Sequence, residues 1–141
     1  MKIFFLMIIG ISILNADFVR GEYTVVDTSS KLEWQDNEIG SKVDWKGAIG
    51  RCEALVLDNK SDWRLPNINE LRTIVDRSKS KTAIKSGFKS TYSDVSVGYW
   101  SSTVESDSFA LFIWRVTFKY GRVNSDNESD SNRVRCVRGG L

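Results

Sequence analysis

The sequence predicts an α+β domain in which two helices pack on a twisted antiparallel sheet, stapled by one disulfide. Apolar residues recur at spacings of three and four in two segments of the first half, the pattern of amphipathic helices. Apolar and polar residues alternate through the later FALFIWRVTFKYGRV, the period of sheet strands. The two cysteines, Cys52 and Cys136, stand 84 positions apart, one in the first helical segment and one in the last strand-like segment.

The chain opens with Lys2 and an apolar run, Ile3 to Ile11, followed by small and polar residues ending at Asn15 and Ala16. This is the pattern of a signal peptide, and the run falls short of the roughly 20 apolar residues of a membrane span. Residues 1–16 are expected to be removed, leaving 17–141 as one exported domain, periplasmic or extracellular, without a membrane span. In such a compartment an even cysteine count argues for a bridge between Cys52 and Cys136 rather than free thiols. Closing a loop of that length contributes roughly 4 kcal/mol by chain entropy.

The elements follow in order. YTVVDTSSKLEWQD reads as a β-hairpin, with Val25 and Val26 before the turn and Leu32 and Trp34 after it. Asp44 is placed to cap a helix whose Trp45, Ala48, Ile49, Cys52, Leu55 and Val56 form one apolar face. In SDWRLPNINELRTIVD, Pro66 biases Leu65 toward extended backbone, and Asn67 stands three residues before Glu70, the spacing of a capping box. Ile68, Leu71, Ile74 and Val75 are then the buried stripe of a second helix, so the stretch is a structural corner, with Trp63 buried and Arg64 hydrogen-bonded to carbonyls or a carboxylate. From Arg77 to Gly98 a polar segment carries only Ile84, Phe88, Tyr92 and Val95 as apolar anchors, and long connections of this kind are usually functional or mobile. GYWSST starts a strand. Phe112, Trp114, Val116 and Phe118 alternate with Leu111, Ile113, Arg115, Thr117 and Lys119 in the next. Asn124 to Asn132 is expected to be a turn, and RVRCVRGG a closing strand with Val134 and Cys136 on one face and Arg133 and Arg135 on the other. Trp34, Trp45, Trp63 and Trp100 are read as core.

The segments VVDTSSKLEWQD, DWKGAIGRCEAL, SDWRLPNINELRTIVD, YWSST and VRCVRGG, in this order, resemble the Lcl C-terminal domain family, a bacterial family named for the C-terminal domain of a Legionella collagen-like adhesin. The resemblance spans nearly the whole mature chain and implies a C-type lectin-like fold and a secreted or surface-exposed module. The adhesin's collagen-like stalk has no counterpart here, because no repeated Gly-X-Y tract is present, so stalk-driven trimerisation does not carry over.

Composition narrows the function further. Twenty Lys and Arg against 18 Asp and Glu leave a formal net charge of +2, about +1 once Lys2 is lost, which offers no footing for a nucleic-acid role. The chain contains no histidine, the commonest general base and zinc ligand near neutral pH. Ser101 and Ser102 therefore have no imidazole to activate them, both cysteines are spent on the bridge, and no catalysis or cofactor is expected. Asp126, Glu128, Asp130 and Asn132 alternate like the start of a calcium loop. Ser131 stands where such a loop needs glycine, however, and Val137 where it needs the bidentate Glu, so the segment is read as a solvated turn rather than a metal site. A basic stripe is the stronger candidate: Arg115, Lys119 and Arg122, with Arg133 and Arg135, are suited to sulfates or carboxylates, and Tyr120 and Trp114 to sugar rings. Two readings stand: a module that presents the loop region 77–98 and the turn 119–132 to an anionic polysaccharide or a cell-surface protein, and a structural or assembly component acting through protein contacts.

Overall fold

The structure, a computed structural model, describes residues 17–37, 39–91, 94–105 and 110–140; the signal-peptide reading of residues 1–16 and the Tyr92 anchor lie outside them. The expected hairpin is formed by β2 (Thr24–Asp27) and β3 (Leu32–Gln35), with Val25 opposite Trp34. Its turn is held by the Asp27 carboxylate, which accepts from the Ser29 backbone N–H at 2.9 Å and the Ser30 hydroxyl at 2.7 Å. A short strand that sequence reading did not anticipate, β1 (Phe18–Arg20), pairs with β2.

Helix α1 (Trp45–Glu53) starts at Asp44, whose side chain accepts from the Gly47 N–H, and buries Ala48 and Cys52. It ends before Leu55 and Val56, and Val56 is 71% exposed rather than part of the buried face. The backbone leaves the helix for a tight turn at Asp58 and Asn59, both with positive φ, which carries Val56 off the apolar side. Helix α2 (Ile68–Thr73) begins with a complete capping box, Asn67 accepting from Glu70 N–H and Glu70 accepting from Asn67 N–H.

The corner before α2 is structural throughout. Trp63 is buried, and its indole N–H donates to the Lys60 carbonyl at 3.1 Å. Arg64 exchanges backbone hydrogen bonds with Val137. Its guanidinium grips Glu70 with two 2.7 Å hydrogen bonds and reaches the Gly139 carbonyl at 2.9 Å.

The remaining strands are β4 (Gly98–Glu105), β5 (Phe112–Thr117), β6 (Arg122–Asn127) and β7 (Val137–Gly139). Instead of one sheet there are two, both antiparallel: β1-β2-β3-β7 and β4-β5-β6. Both faces of β4-β5-β6 meet a core. Tyr99, Val116 and Phe118 join Trp34, Leu71 and Ile74, while Trp100 and Ile113 join Ala48, Cys52, Trp63 and Cys136. Simple alternation therefore does not describe burial in β5: Ile113 and Val116, from the two alternating sets, are both fully buried, and Phe112 is exposed. The polar residues Asn124–Asn127 belong to β6 rather than to the turn, which starts only at Glu128. The Cys52–Cys136 bridge, with Cα atoms 5.5 Å apart, ties α1 to the terminal segment. It points to an oxidising, extracytoplasmic compartment. Among the described residues no helix is long and apolar enough to cross a membrane.

Candidate functional site

The expected stripe of arginines does not assemble. Arg115 lies half-buried beside β6, its Nη1 3.0 Å from the Asp126 carboxylate and 2.6 Å from Asn132 Oδ1, and its Nε donates to Asn124 Oδ1 at 3.0 Å. Arg133 is on the far side of β4, where its backbone pairs with Gly98 and Trp100 and its Nη1 donates to the Gly40 carbonyl. Arg135, expected on an exposed face, is fully buried. Its guanidinium donates to the Gln35 carbonyl at 2.6 Å, to Asp36 Oδ1 at 2.9 Å and to the Ser90 carbonyl, and lies over the Phe88 and Tyr99 rings. Burial draws its pKa downward. Asp36 also accepts from Arg20 and from the backbone N–H groups of Lys89 and Ser90, so the cluster locks the 86–91 loop onto β3. Arg135 is thus removed from the candidate surface: both sides of the terminal segment are covered.

The acidic turn is likewise committed to local contacts. Partial burial works against the Asp126 carboxylate, but hydrogen bonds with Asp130 and Asn132 and the Arg115 charge outweigh it and hold its pKa below the usual range. Asp130, sharing that contact, is raised. Glu128 contributes its backbone, accepting from Trp45 N–H and donating to the Leu111 carbonyl, each at 3.0 Å. Among the described residues no three His, Cys, Asp or Glu side chains converge in a way that would hold a metal ion.

Lys119, Tyr120 and Arg122 meet a different set of residues. Lys119 and Tyr120 lie in the β5–β6 connection, which also contains the buried Phe118, and Arg122 opens β6. Tyr120 and Gly121 both adopt left-handed backbone, φ 62 and 64. At Gly121 an added Cβ would stand 2.4 Å from Val75 Cγ1, so glycine lets the turn sit directly on the end of α2. For tyrosine that conformation costs of order 1 kcal/mol. It is held by backbone hydrogen bonds to the long loop: Ala83 N–H to the Phe118 carbonyl (2.8 Å), Lys119 N–H to the Val95 carbonyl (3.0 Å) and Tyr120 N–H to the Ser80 carbonyl (2.9 Å). Tyr120 remains 52% exposed, with the Arg122 guanidinium 5.3 Å from its ring centroid.

The loop and α2 bring further cations to this turn. A pocket of about 490 Å³ beside Gly121 is lined by Arg72, Arg77 and Lys85 together with Asn69 and Thr73. On the other side, a pocket of about 450 Å³ is lined by Lys81, Thr82, Asp94, Ser96 and Lys119. Its one carboxylate is engaged by the Ser96 hydroxyl and backbone N–H, which hold the Asp94 pKa below its ordinary value. Arg72, Arg77, Lys81, Lys85, Lys119 and Arg122 form no ion pair among the described residues. Sequence reading named Lys119, Tyr120 and Arg122 and pointed to the loop, but missed Arg72, Arg77, Lys81 and Lys85. These come from two other segments, and no local spacing signals their convergence. Arg72 was legible only as the solvent side of an amphipathic helix.

Comparison with curated proteins finds no match. Residues 23–138 match the Lcl C-terminal domain, and the chain belongs to the Lcl C-terminal domain family.

Proposed function

We propose that the protein is an exported binding module that takes an anionic glycan on the face formed by α2, loop residues 77–85 and 94–96, and residues Lys119 to Arg122. The observation that carries this is the gathering on this face of six cations that form no ion pair among the described residues, one of which, Arg122, lies against the exposed Tyr120 ring. Unpaired guanidinium and ammonium groups suit sulfate and carboxylate, and Tyr120 offers an apolar platform for a sugar ring. The lectin-like scaffold and the signal peptide belong to this reading as what the family resemblance and the N-terminal pattern imply. It includes no chemical step and no cofactor.

The test is retention of the mature protein on immobilised heparin and alginate across a salt series. Retention that falls steeply as ionic strength rises supports an electrostatic glycan site. Passage through both matrices at low salt contradicts it. A second reading, an assembly component acting through protein contacts, draws on the exposed Val104, Leu111 and Phe112 at the end of the β4–β5 pair. Recovery of one specific protein after crosslinking, with no glycan retained, favours that alternative.

A further inference from the structure

The pocket of Arg72, Arg77 and Lys85 adjoins a second one, of about 660 Å³, and the two share Thr73 and Lys85 as a common wall. Their linings are opposite in character. The first presents three cations; the second, apart from Phe18 and the shared Lys85, is lined by oxygen, from Asp17, Asp27 and Asp76 and the hydroxyls of Ser29, Ser30 and Ser86, with Lys79 3.8 Å from Asp76 and donating to the Ser86 hydroxyl at 3.1 Å. Hydrogen bonds from Ser29 and Ser30 hold the Asp27 pKa low against partial burial, and those from Ser78 hold that of Asp76 low, so both carboxyls stay ionised near neutrality. The division between the lobes falls at the C-terminal end of α2, where Thr73 exposes its side while Ile74 and Val75 turn into the core.

We infer that the two lobes form one subsite for a monosaccharide-sized acid: its oxyanion sits against Arg72, Arg77 and Lys85, and its hydroxyl groups donate to the oxygens of the second lobe. This rests on the reading of the basic face as a binding site and deepens it. Arginine forks match an oxyanion held at two oxygens, and carboxylates accept from sugar hydroxyls. Three carboxylates against Lys79 and the shared Lys85 leave this lobe net negative, which disfavours a second negative charge at the far end of the unit. The subsite therefore selects a unit with one anion and neutral hydroxyls over a unit charged at both ends, a preference that uniform basic charge would reverse.

The experiment is titration of the mature protein, by calorimetry and by amide and side-chain NMR shifts, with glucose 6-phosphate, glucose 6-sulfate, glucuronate, glucose 1,6-bisphosphate and glucose. Saturable binding of one or more of the singly substituted acids, with shifts at Arg72, Arg77 and Lys85 and at least roughly tenfold weaker binding of the bisphosphate, supports the subsite. Which acid binds tightest distinguishes carboxylate, sulfate and phosphate sources. Arg77→Ala and Lys85→Ala should each weaken the preferred acid roughly tenfold with the circular dichroism spectrum unchanged. Asp76→Asn should narrow the gap between mono- and bisphosphate. Absence of saturable binding by every acid, unchanged affinity in both cation variants, or a bisphosphate that binds as tightly as the monophosphate overturns it. The same preparations on heparin and alginate separate the two levels: retention without binding of any unit overturns the subsite alone, and binding of units without retention supports the subsite while overturning the polymer reading.

Discussion

Replacing Arg135 by alanine tests the assignment of this residue to the interior. The substitution removes a guanidinium that donates to two main-chain carbonyls, Gln35 at 2.6 Å and Ser90, and to Asp36 Oδ1 at 2.9 Å. Each buried carbonyl left without a donor costs about 1–3 kcal/mol. Asp36 is not orphaned, because Arg20 and the N–H groups of Lys89 and Ser90 still face it, so the loss does not reach that of a naked buried charge. The rings of Phe88 and Tyr99 also lose the group that lies 5.1 and 5.7 Å from their centroids, and a void opens between them. Together these place the destabilisation at about 3–5 kcal/mol, the usual range for breaking a buried pair and a large part of the total stability of a small domain. Urea unfolding followed by tryptophan fluorescence, with Arg122→Ala as the exposed control, measures the difference. Arg135→Lys should fall between the two, because it keeps the charge and loses the fork. A loss below about 1 kcal/mol for Arg135→Ala, or equal losses for both alanine variants, would refute the buried assignment.

Removing the disulfide with paired Cys52→Ala and Cys136→Ala substitutions should lower stability by roughly 4 kcal/mol, read from urea midpoints; a change within about 1 kcal/mol would mean that the 84-residue loop is closed as effectively by packing. Burial works to raise the Glu70 pKa, yet hydrogen bonds from Arg64 and the Asn67 N–H outweigh it and leave it depressed. The stability it contributes is therefore fully present above the unfolded value of roughly 4.3 and is lost as pH falls through the lower folded value. Glu70→Gln should flatten the acid limb of the stability curve below about pH 4.3, and an unchanged limb would show that another carboxylate governs it. Gly121→Ala should cost more than about 1 kcal/mol in thermal unfolding, since the turn needs positive φ and the new Cβ would overlap Val75; a neutral result would show that the turn can lift from α2.

Features decided by neighbours in sequence were legible. The Asp44 cap, the Asn67–Glu70 box and the burial of Trp63 each follow from residues within a turn or two of one another. The cysteine pairing needed only compartment and count. Features decided by what covers a strand were not legible. The alternation of Arg133 and Arg135 has the pattern of a half-exposed strand, but the 86–91 loop closes over Arg135 through Asp36, a residue about a hundred positions away. β5 defeated alternation for the same reason, since a core lies on each face of its sheet. The separation of the strands into two sheets depends on β7 returning to β3, a long-range pairing no local pattern encodes. Of the candidate site, Lys119, Tyr120 and Arg122 were legible as an exposed basic and aromatic turn. Arg77, Lys81 and Lys85 join it through main-chain hydrogen bonds between the loop and the turn, and Arg72 where Gly121 packs against Val75 just beyond α2.

The central claim, that this face rather than the arginines of the strands binds the ligand, is tested most directly by one comparison. The salt concentration that elutes the protein from heparin or alginate is measured for the wild type, for Lys119→Ala/Arg122→Ala and for Arg115→Ala. Arg115 is already paired with Asp126 at 3.0 Å, whereas Lys119 and Arg122 have no such partner among the described residues. The double variant should elute at much lower salt and Arg115→Ala close to the wild type. Equal elution of the double variant and the wild type, or a larger shift for Arg115→Ala, would contradict the assignment.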